Sequence, residues 1–171
     1  MIQGTIIKGI AGFYYVKADH TVFECKARGI FKKDGITPLV GDIVEIKTEN
    51  DGSAVIHTIH DRKNEFRRPM LSNVDCFIIV IAAAKPEPNL SIIDRFLVMA
   101  ESNGADAVIC INKIDLAEDG KVQHIRSVYE NIYPVVCTSA LSEFGIDELK
   151  ALIKDGKYAL AGPSGTGNRH C

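Results

Sequence analysis

The sequence predicts a small all-β barrel followed by an incomplete, mainly parallel α/β domain, and three observations support this prediction. Short strand patterns separated by turn residues fill residues 1–60. After Pro69, apolar runs typical of buried strands alternate with segments of helical periodicity, which is the pattern of a parallel sheet with right-handed crossovers. A basic segment, 62–69, lies between the two patterns. We therefore predict a barrel domain over residues 1–68 and an α/β domain over residues 69–171.

Five short strands predict the barrel, and this number favours an OB-fold, although an SH3-like barrel remains an alternative. Gly, Asn and Asp between the strands tolerate the positive φ of tight turns, as in Asn50-Asp51-Gly52. No helical period is evident in this part of the chain, so no helix is predicted there. The predicted strands are Ile2–Lys8, Phe13–Lys17, Val22–Ala27, Asp42–Lys47 and Ala54–His60.

The basic segment Arg62–Pro69 has two interpretations. It is either a solvated linker or a strip that contacts nucleic-acid phosphates, because the planar guanidinium group suits phosphate geometry. Arg67 and Arg68 are the candidate RNA contacts. Residues 1–69 carry 11 Lys and Arg against 9 Asp and Glu, hence +2, a balance compatible with RNA binding but too weak to establish it.

The α/β domain contains four predicted strands and three predicted helices. In such sheets, ligands bind at the carboxyl ends of the strands, so the loops that follow the strands are the places to search for a site. The strands are Asp75–Ala84, Ala105–Ile111, Tyr133–Thr138 and Tyr158–Ala161, and the helices are Ser91–Ser102, Glu118–Asn131 and Ile146–Ile153.

Asn112-Lys113-Ile114-Asp115 follows the second of these strands and predicts guanine recognition. A carboxylate at Asp115 can accept from the ring N–H and the exocyclic amine of guanine, whereas adenine would leave it unsatisfied. Asn112 can hold the loop, and the stem of Lys113 can lie across the ring. The alternative is a polar turn between a strand and a helix.

Thr138-Ser139-Ala140 follows the next strand and supports the same prediction. The backbone N–H of Ala140 can donate to the guanine carbonyl, and Ser139 can brace Asp115. Alone, the motif is weak, because Ser and Thr often begin helices after strands.

The loop after the last strand predicts phosphate binding. A phosphate loop reads G-x-x-x-x-G-K-[ST] between a strand and a helix, and its glycines let backbone N–H groups converge on phosphate. Asn168 stands where lysine is expected and Arg169 where a Ser or Thr hydroxyl is expected. The alternative is a Gly-rich tail. The candidate phosphate contacts are Gly162, Pro163, Ser164, Gly165, Thr166 and Gly167.

The order of these motifs resembles the RsgA (YjeQ/EngC) family of circularly permuted GTPases, which assist maturation of the small ribosomal subunit. In most GTPases the phosphate loop comes first, whereas here the guanine loops precede it, as in that family. The OB-fold and the stretches Arg67-Arg68-Pro69, Asn73-Val74-Asp75 and Ile93-Asp94-Arg95 are also similar to it. The resemblance covers essentially the whole chain.

The resemblance implies GTP or GDP as the bound nucleotide, with Mg²⁺ as its cofactor in the intact family. It implies that the barrel contacts the ribosomal RNA of the 30S subunit. We expect a monomer, although the sequence itself does not give the oligomeric state. In the family, switch segments, a DxxG loop and a zinc-binding C-terminal domain follow the phosphate loop, and residues 1–171 do not contain them. The implied guanine contacts are Asn112, Lys113, Asp115, Ser139 and Ala140.

Because Asn168 and Arg169 replace the expected residues, we expect no measurable GTP hydrolysis by this chain, and we assign no catalytic residue and no metal ligand. One alternative is an RNA-binding barrel attached to a non-hydrolysing nucleotide domain. Another is a non-functional fragment. Asn168–Cys171 can be read as the out-of-frame translation of a coding sequence for Lys-Ser-Thr-Leu from which one base is deleted.

The five scattered cysteines contain no close pair of the kind that holds zinc, and their odd number suits a reducing compartment. Cys76, Cys110 and Cys137 lie in apolar runs and are predicted to be core residues. The longest apolar run, Phe77–Ala84, is too short to span a bilayer, and no secretory signal is evident. We therefore expect a cytoplasmic protein without a membrane partner.

Overall fold

A closed five-stranded barrel forms the core of the first unit, Met1–Asn73, in a computed structural model that describes residues 1–49, 53–153 and 155–166. The strand order is β1-β2-β3-β5-β4, with β4 pairing back onto β1. Only β3 and β5 pair in parallel. This barrel confirms the predicted fold class. The strands are β1 (Ile2–Ile10), β2 (Phe13–Ala18), β3 (Thr21–Ala27), β4 (Ile43–Thr48) and β5 (Ala54–Ile59).

The barrel core follows from the alternation of the strand sequences. Successive side chains of a strand point to opposite faces, and one residue in two is apolar over much of β2, β4 and β5. The fully buried set comprises Ile6, Val16, Cys25, Val44, Ile46 and Ile56. The predicted turn Asn50-Asp51-Gly52 lies outside the described residues.

One helix of the barrel was not predicted. Helix α1 (Gly29–Lys33) follows β3, and Phe31 is the residue that it buries against the barrel core. Five residues make little more than one turn, which is too short for a periodic hydrophobic signal.

The interpretation of Arg62–Pro69 as a linker is wrong for most of the segment. Strand β6 (Glu65–Arg67) pairs with β7 (Met70–Ser72) in a hairpin, and Phe66 is buried. The first unit extends through Asn73, five residues beyond the predicted boundary, because the hairpin bonds back to the barrel. The Asn73 Nδ2 donates to the Gly41 carbonyl at 3.1 Å.

A buried ion pair ties this hairpin to the segment before β4. Asp42 is fully buried. Its carboxylate accepts from Arg62 Nε and Nη2, each at 2.7 Å, and from Ser72 Oγ at 2.6 Å. The Leu39 N–H adds a fourth bond at 2.8 Å. Arg62 therefore stabilises the fold of this unit. The hydrogen bond to Asp42 is the main reason why the pKa of Arg62 is raised.

A parallel four-stranded sheet forms the second unit, Val74–Cys171, in the order β10-β9-β8-β11. All three strand pairings are parallel, which confirms the predicted α/β architecture. The strands are β8 (Cys76–Ala82), β9 (Asp106–Asn112), β10 (Val135–Cys137) and β11 (Tyr158–Ala161), and the helices are α2 (Leu90–Ser102), α3 (Lys121–Tyr129) and α4 (Ile146–Leu152).

Strand β8 is buried along its whole length, as its continuous apolar sequence predicts for a sheet covered on both faces. Leu149 of α4 packs with Ile78, Val80 and Val108. Helix α2 packs against β8 and β9. Cys76 and Cys110 are buried as predicted, whereas Cys137 is half-buried. Among the described helices, none has the length and apolar character needed to cross a membrane.

The Asp42–Arg62 pair generates a prediction about stability. Replacing Arg62 by Ala leaves a buried carboxylate without its partner, which costs about 3–5 kcal/mol. We expect amide exchange in peptides from residues 1–73 to accelerate strongly, as measured by hydrogen–deuterium exchange of the whole chain.

The matched control is Arg126→Ala, which removes a surface ion pair with Glu130 at 2.7 Å in α3. Such pairs contribute about 0–1 kcal/mol. If the two substitutions changed the amide exchange of peptides from residues 1–73 equally, the Asp42 cluster would not be what holds the first unit together.

Candidate functional site

The side chain of Asn112 joins three loops at the carboxyl edge of the sheet. Asn112 ends β9 and is 1% exposed. Its Nδ2 donates to the Thr166 carbonyl at 2.9 Å, in the loop after β11. Its Oδ1 accepts from Thr138 Oγ1 at 3.2 Å and from the Ala140 N–H at 3.1 Å, in the segment after β10. The predicted motifs on β9, β10 and β11 are thus in direct contact through one amide.

Lys113 makes a second connection between loops. Its Nζ donates to the carbonyls of Lys85 and Gly165, each at 2.6 Å. Its backbone is left-handed, with φ of +61°, so the chain turns sharply where β9 ends. The two carbonyls fix the amine at the end of the Lys113 side chain. The aliphatic stem of the side chain therefore lies as an apolar surface beside the loop.

Asp115 lies on a 3-10 turn, Ile114–Leu116, and is exposed. Ser139 is buried, and its Oγ has no hydrogen-bond partner among the residues that the structure describes. The two side chains, which the sequence pairs with each other, are therefore not bonded to each other here. A buried hydroxyl without a partner is costly.

The Ala140 N–H, which the sequence analysis assigns to the guanine carbonyl, donates to Asn112 Oδ1 in this structure. An N–H can be shared between two acceptors in a three-centre bond. The Ala140 N–H is therefore bonded to Asn112 in this structure, and the predicted contact with the guanine carbonyl requires that this N–H be shared.

The loop after β11 begins with a close approach of two backbones. A Cβ at Gly162 would lie 2.1 Å from the Val80 carbonyl oxygen, so only glycine fits there. Thr166 is buried, and its Oγ1 donates to the Pro163 carbonyl at 2.9 Å, which closes the loop on itself. Gly167 and the residues that follow it lie outside the described residues.

Three backbone N–H groups of the predicted phosphate loop have no protein acceptor in the described part of the chain. Within the part of the chain that the structure describes, the backbone N–H groups of Ser164, Gly165 and Thr166 donate to no protein group. Gly165 has φ of +83°. Successive N–H groups in a turn with a left-handed residue can form an anion-binding concavity.

Sequence reasoning missed the segment after β8. The Lys85 carbonyl of this segment accepts a hydrogen bond from Lys113 Nζ. Pro86 lies beside the phosphate-type loop, since its Cδ would be 3.7 Å from a Cβ placed on Gly165. The signal that could have found it is its position, since it also follows a buried parallel strand. Every residue type carries a backbone carbonyl, however, so the amino-acid sequence does not indicate this contact.

The two RNA candidates lie in the other unit. Arg67 ends β6, and Arg68 is in the turn between β6 and β7. Both residues are exposed. Arg62 of the same basic segment is bonded internally, so the exposed arginines of the hairpin are the ones free to meet a phosphate.

An α/β sheet with these three loops at its carboxyl edge, in which the guanine-type loops precede the phosphate-type loop in sequence, has the motif order of a circularly permuted GTPase domain. The chain belongs to the RsgA GTPase family. The family model for the RsgA GTPase matches residues 59–169, and that for the RsgA N-terminal domain matches residues 3–56.

Curated relatives carry the name small ribosomal subunit biogenesis GTPase RsgA. The protein from Caldanaerobacter subterraneus subsp. tengcongensis is 47% identical over 167 residues, covering 97% of this chain and 57% of that relative. The protein from Alkaliphilus metalliredigens is 44% identical over 170 residues, covering 98% and 58%. The chain thus spans less than two thirds of the length of these relatives.

Two solved structures have the same fold. YjeQ from Thermotoga maritima superposes with a TM-score of 0.87 at 35% identity, covering 99% of this chain and 63% of that one. YloQ, described as a circularly permuted GTPase, superposes with a TM-score of 0.81 at 39% identity, covering 98% and 61%.

The role of Asn112 can be tested one bond at a time. Asn112→Asp keeps an acceptor for Thr138 and Ala140 but replaces the donor to Thr166 by a second oxygen. We expect faster amide exchange in peptides covering residues 159–166 and little change in those covering 135–140. The lost hydrogen bond and the carboxylate buried opposite the Thr166 carbonyl together cost at least about 1–3 kcal/mol, which corresponds to at least a roughly five- to 150-fold increase in the exchange rate.

The control is Asn103→Asp, which removes a 2.8 Å bond to the Met99 carbonyl at the end of α2. It should leave both loops unchanged. If Asn112→Asp loosens the segment after β10 as much as the segment after β11, then the two halves of the amide do not act separately.

Proposed function

We propose that this chain is the RNA-binding and guanine-nucleotide-binding part of a cytoplasmic, monomeric GTPase that acts in biogenesis of the small ribosomal subunit. The observation that carries the proposal is the bridge made by Asn112 between the two guanine-type loops and the phosphate-type loop. A bridge of this kind holds a base site and a phosphate site at a fixed separation. The names of the relatives supply the ribosomal context.

In the proposed base site, Asp115 selects guanine. Its exposed carboxylate accepts from the ring N–H and the exocyclic amine, and the unpartnered Ser139 Oγ donates to the carboxylate once the base has brought the two together. The stem of Lys113 lies against the face of the ring. The Ala140 N–H is shared between Asn112 and the base carbonyl.

In the proposed phosphate site, the free N–H groups of Ser164, Gly165 and Thr166 bind phosphate oxygens, and Gly162 and Pro163 shape the loop around them. Gly167 completes the predicted loop in sequence. These contacts are made by the backbone, so they do not depend on the residues at positions 168 and 169.

The residues present do not fit the Mg²⁺ ion that the family implies. A Ser or Thr hydroxyl holds this ion in a phosphate loop, and Arg169 occupies that position in the sequence. In this respect the sequence departs from the pattern that holds Mg²⁺ in the intact family.

The proposed RNA contact lies in the first unit. Arg67 and Arg68 are exposed at the end of the β6–β7 hairpin, where guanidinium groups can reach phosphates. Contacts of this kind position a protein on RNA and respond strongly to salt.

The first test is nucleotide specificity in the variant Asp115→Asn. We expect affinity for GDP to fall about tenfold to 100-fold, because hydrogen bonds to a charged group contribute about 1.5–3 kcal/mol. Affinity for xanthosine diphosphate should rise, since an amide can donate to the carbonyl that replaces the guanine amine. Both are measured by titration calorimetry.

Asp119→Asn is the matched control, because Asp119 is also exposed and lies four residues further along. It should bind GDP as the unaltered chain does. A chain that binds ADP and GDP equally would contradict guanine recognition altogether.

The second test concerns hydrolysis. We expect no magnesium-dependent phosphate release from GTP by this chain, because the lysine and the hydroxyl that act on the outer phosphates are absent from positions 168 and 169. Asn168→Lys combined with Arg169→Ser should raise affinity for GTP and GDP about tenfold.

Affinity for GMP is the internal control, because GMP has no outer phosphates for a lysine to reach. It should not change in the double variant. Equal gains for GMP and GTP would show that positions 168 and 169 do not face the phosphate chain.

A further inference from the structure

The segment that follows β8 lies beside the phosphate-type loop, although it belongs to none of the three predicted loops. Lys113 Nζ donates to the carbonyls of Lys85 and Gly165, each at 2.6 Å, so the two carbonyl oxygens are no more than twice that distance apart. Pro86 is close as well, since its Cδ would be 3.7 Å from a Cβ placed on Gly165. The backbone at position 85 is therefore fixed next to the predicted phosphate site.

Two further features hold this segment in place. Pro86 and Pro88 each fix one backbone torsion, which removes freedom from the chain. The Glu87 carboxylate accepts a hydrogen bond from Lys121 Nζ at 2.6 Å, at the start of α3. This ion pair also means that the negative charge of Glu87 is compensated by Lys121 and not by Lys85.

The ammonium group of Lys85 is unpaired, unlike those of two neighbouring lysines. Lys113 and Lys121 are both bonded to protein groups. Lys85 is exposed, and its Nζ makes no hydrogen bond or ion pair with any group in the part of the chain that the structure describes. An ammonium on a flexible four-carbon stem can move towards a negative charge within its reach, and a bound polyphosphate would supply that charge.

The predicted phosphate loop lacks positive charge at the position where a lysine is expected. Asn168 stands there, and a neutral amide does not offset the charge of the outer phosphates, those beyond the first. The side chains from Gly162 to Gly167 are neutral too, so this part of the loop offers only backbone N–H dipoles. A cation from another segment would compensate, and Lys85 is close enough in the fold to supply it.

We propose that the Lys85 side chain binds the outer phosphates of the guanine nucleotide in place of the missing loop lysine. The inference rests on the proposed nucleotide-binding function and adds to its phosphate site a residue outside the three predicted loops. The role belongs to the side chain alone, because the carbonyl that accepts from Lys113 is present whatever residue occupies position 85. A substitution there changes the cation and keeps the contact with Lys113.

The test is the affinity of the whole chain for GMP and GDP, measured by titration calorimetry in EDTA so that no divalent cation is present. Lys85→Gln should lower the affinity for GDP about tenfold, the low end of the effect of a hydrogen bond to a charged group. Affinity for GMP should not change, because GMP has no outer phosphate. Added salt should weaken GDP binding less in this variant, since one charge pair is gone. Lys85→Arg should restore the affinity for GDP.

Lys150→Gln is the matched control for loss of charge. Lys150 is an exposed lysine of the same unit, on α4, and lies 3.4 Å from Asp147 in an ion pair. This variant should bind both nucleotides as the unaltered chain does. Arg169→Ser examines the other cation that the sequence places near the loop. Amide exchange of peptides covering residues 159–166 should be the same in Lys85→Gln and the unaltered chain, which shows that the loop is intact.

The outcomes separate the two proposals. If the unaltered chain binds neither GDP nor GMP, the proposed nucleotide-binding function fails and the Lys85 inference fails with it. If the chain binds nucleotide, but Lys85→Gln behaves as Lys150→Gln does or weakens GMP and GDP equally, only the Lys85 inference is overturned. A selective loss for GDP in Arg169→Ser and not in Lys85→Gln overturns it as well. A selective loss in Lys85→Gln that Lys85→Arg restores supports it.

Discussion

The side-chain amide of Asn112 is the interaction on which the arrangement of the nucleotide unit depends. An amide offers both donors and acceptors, and Asn112 uses both kinds in opposite directions, towards the loops after β11 and β10. Because the group is buried, each bond that is lost leaves a polar atom without water. No other side chain of similar size meets this demand, since Asp lacks the donor and Leu lacks both.

The topology of the sheet explains why Asn112 can reach the loops that follow two other strands. From β8 the chain adds β9 and β10 on one side, and then β11 on the other side of β8. The strand order reverses between β8 and β11, which is where ligands bind in open parallel sheets. The carboxyl ends of all four strands meet at one edge, so the order of the loops along the chain does not affect their proximity. A permuted sequence can therefore build the same site.

Sequence patterns predict the barrel strands, the sheet and the three loops because periodicity and turn residues mark them directly. Elements of little more than one period are not predicted, as α1 and the three-residue strands β6 and β7 show. Contacts made by backbone groups are not predicted from sequence for a different reason. The Lys85 carbonyl that receives Lys113 would be there with almost any residue at position 85, so no residue type signals it.

The basic residues of the first unit show why charge counts are a poor guide to RNA contacts. Arg62 carries the same charge as Arg67 and Arg68, yet its guanidinium is satisfied by Asp42, Glu65 and the Thr37 carbonyl. An arginine so bonded has few donors left for a phosphate. Lys26 and Lys32 are distant from the basic segment in sequence but lie together in one cleft without an acidic neighbour in its lining. Electrostatic attraction depends on this local excess and not on the sum over the chain, so the barrel can be almost neutral and still have one basic face.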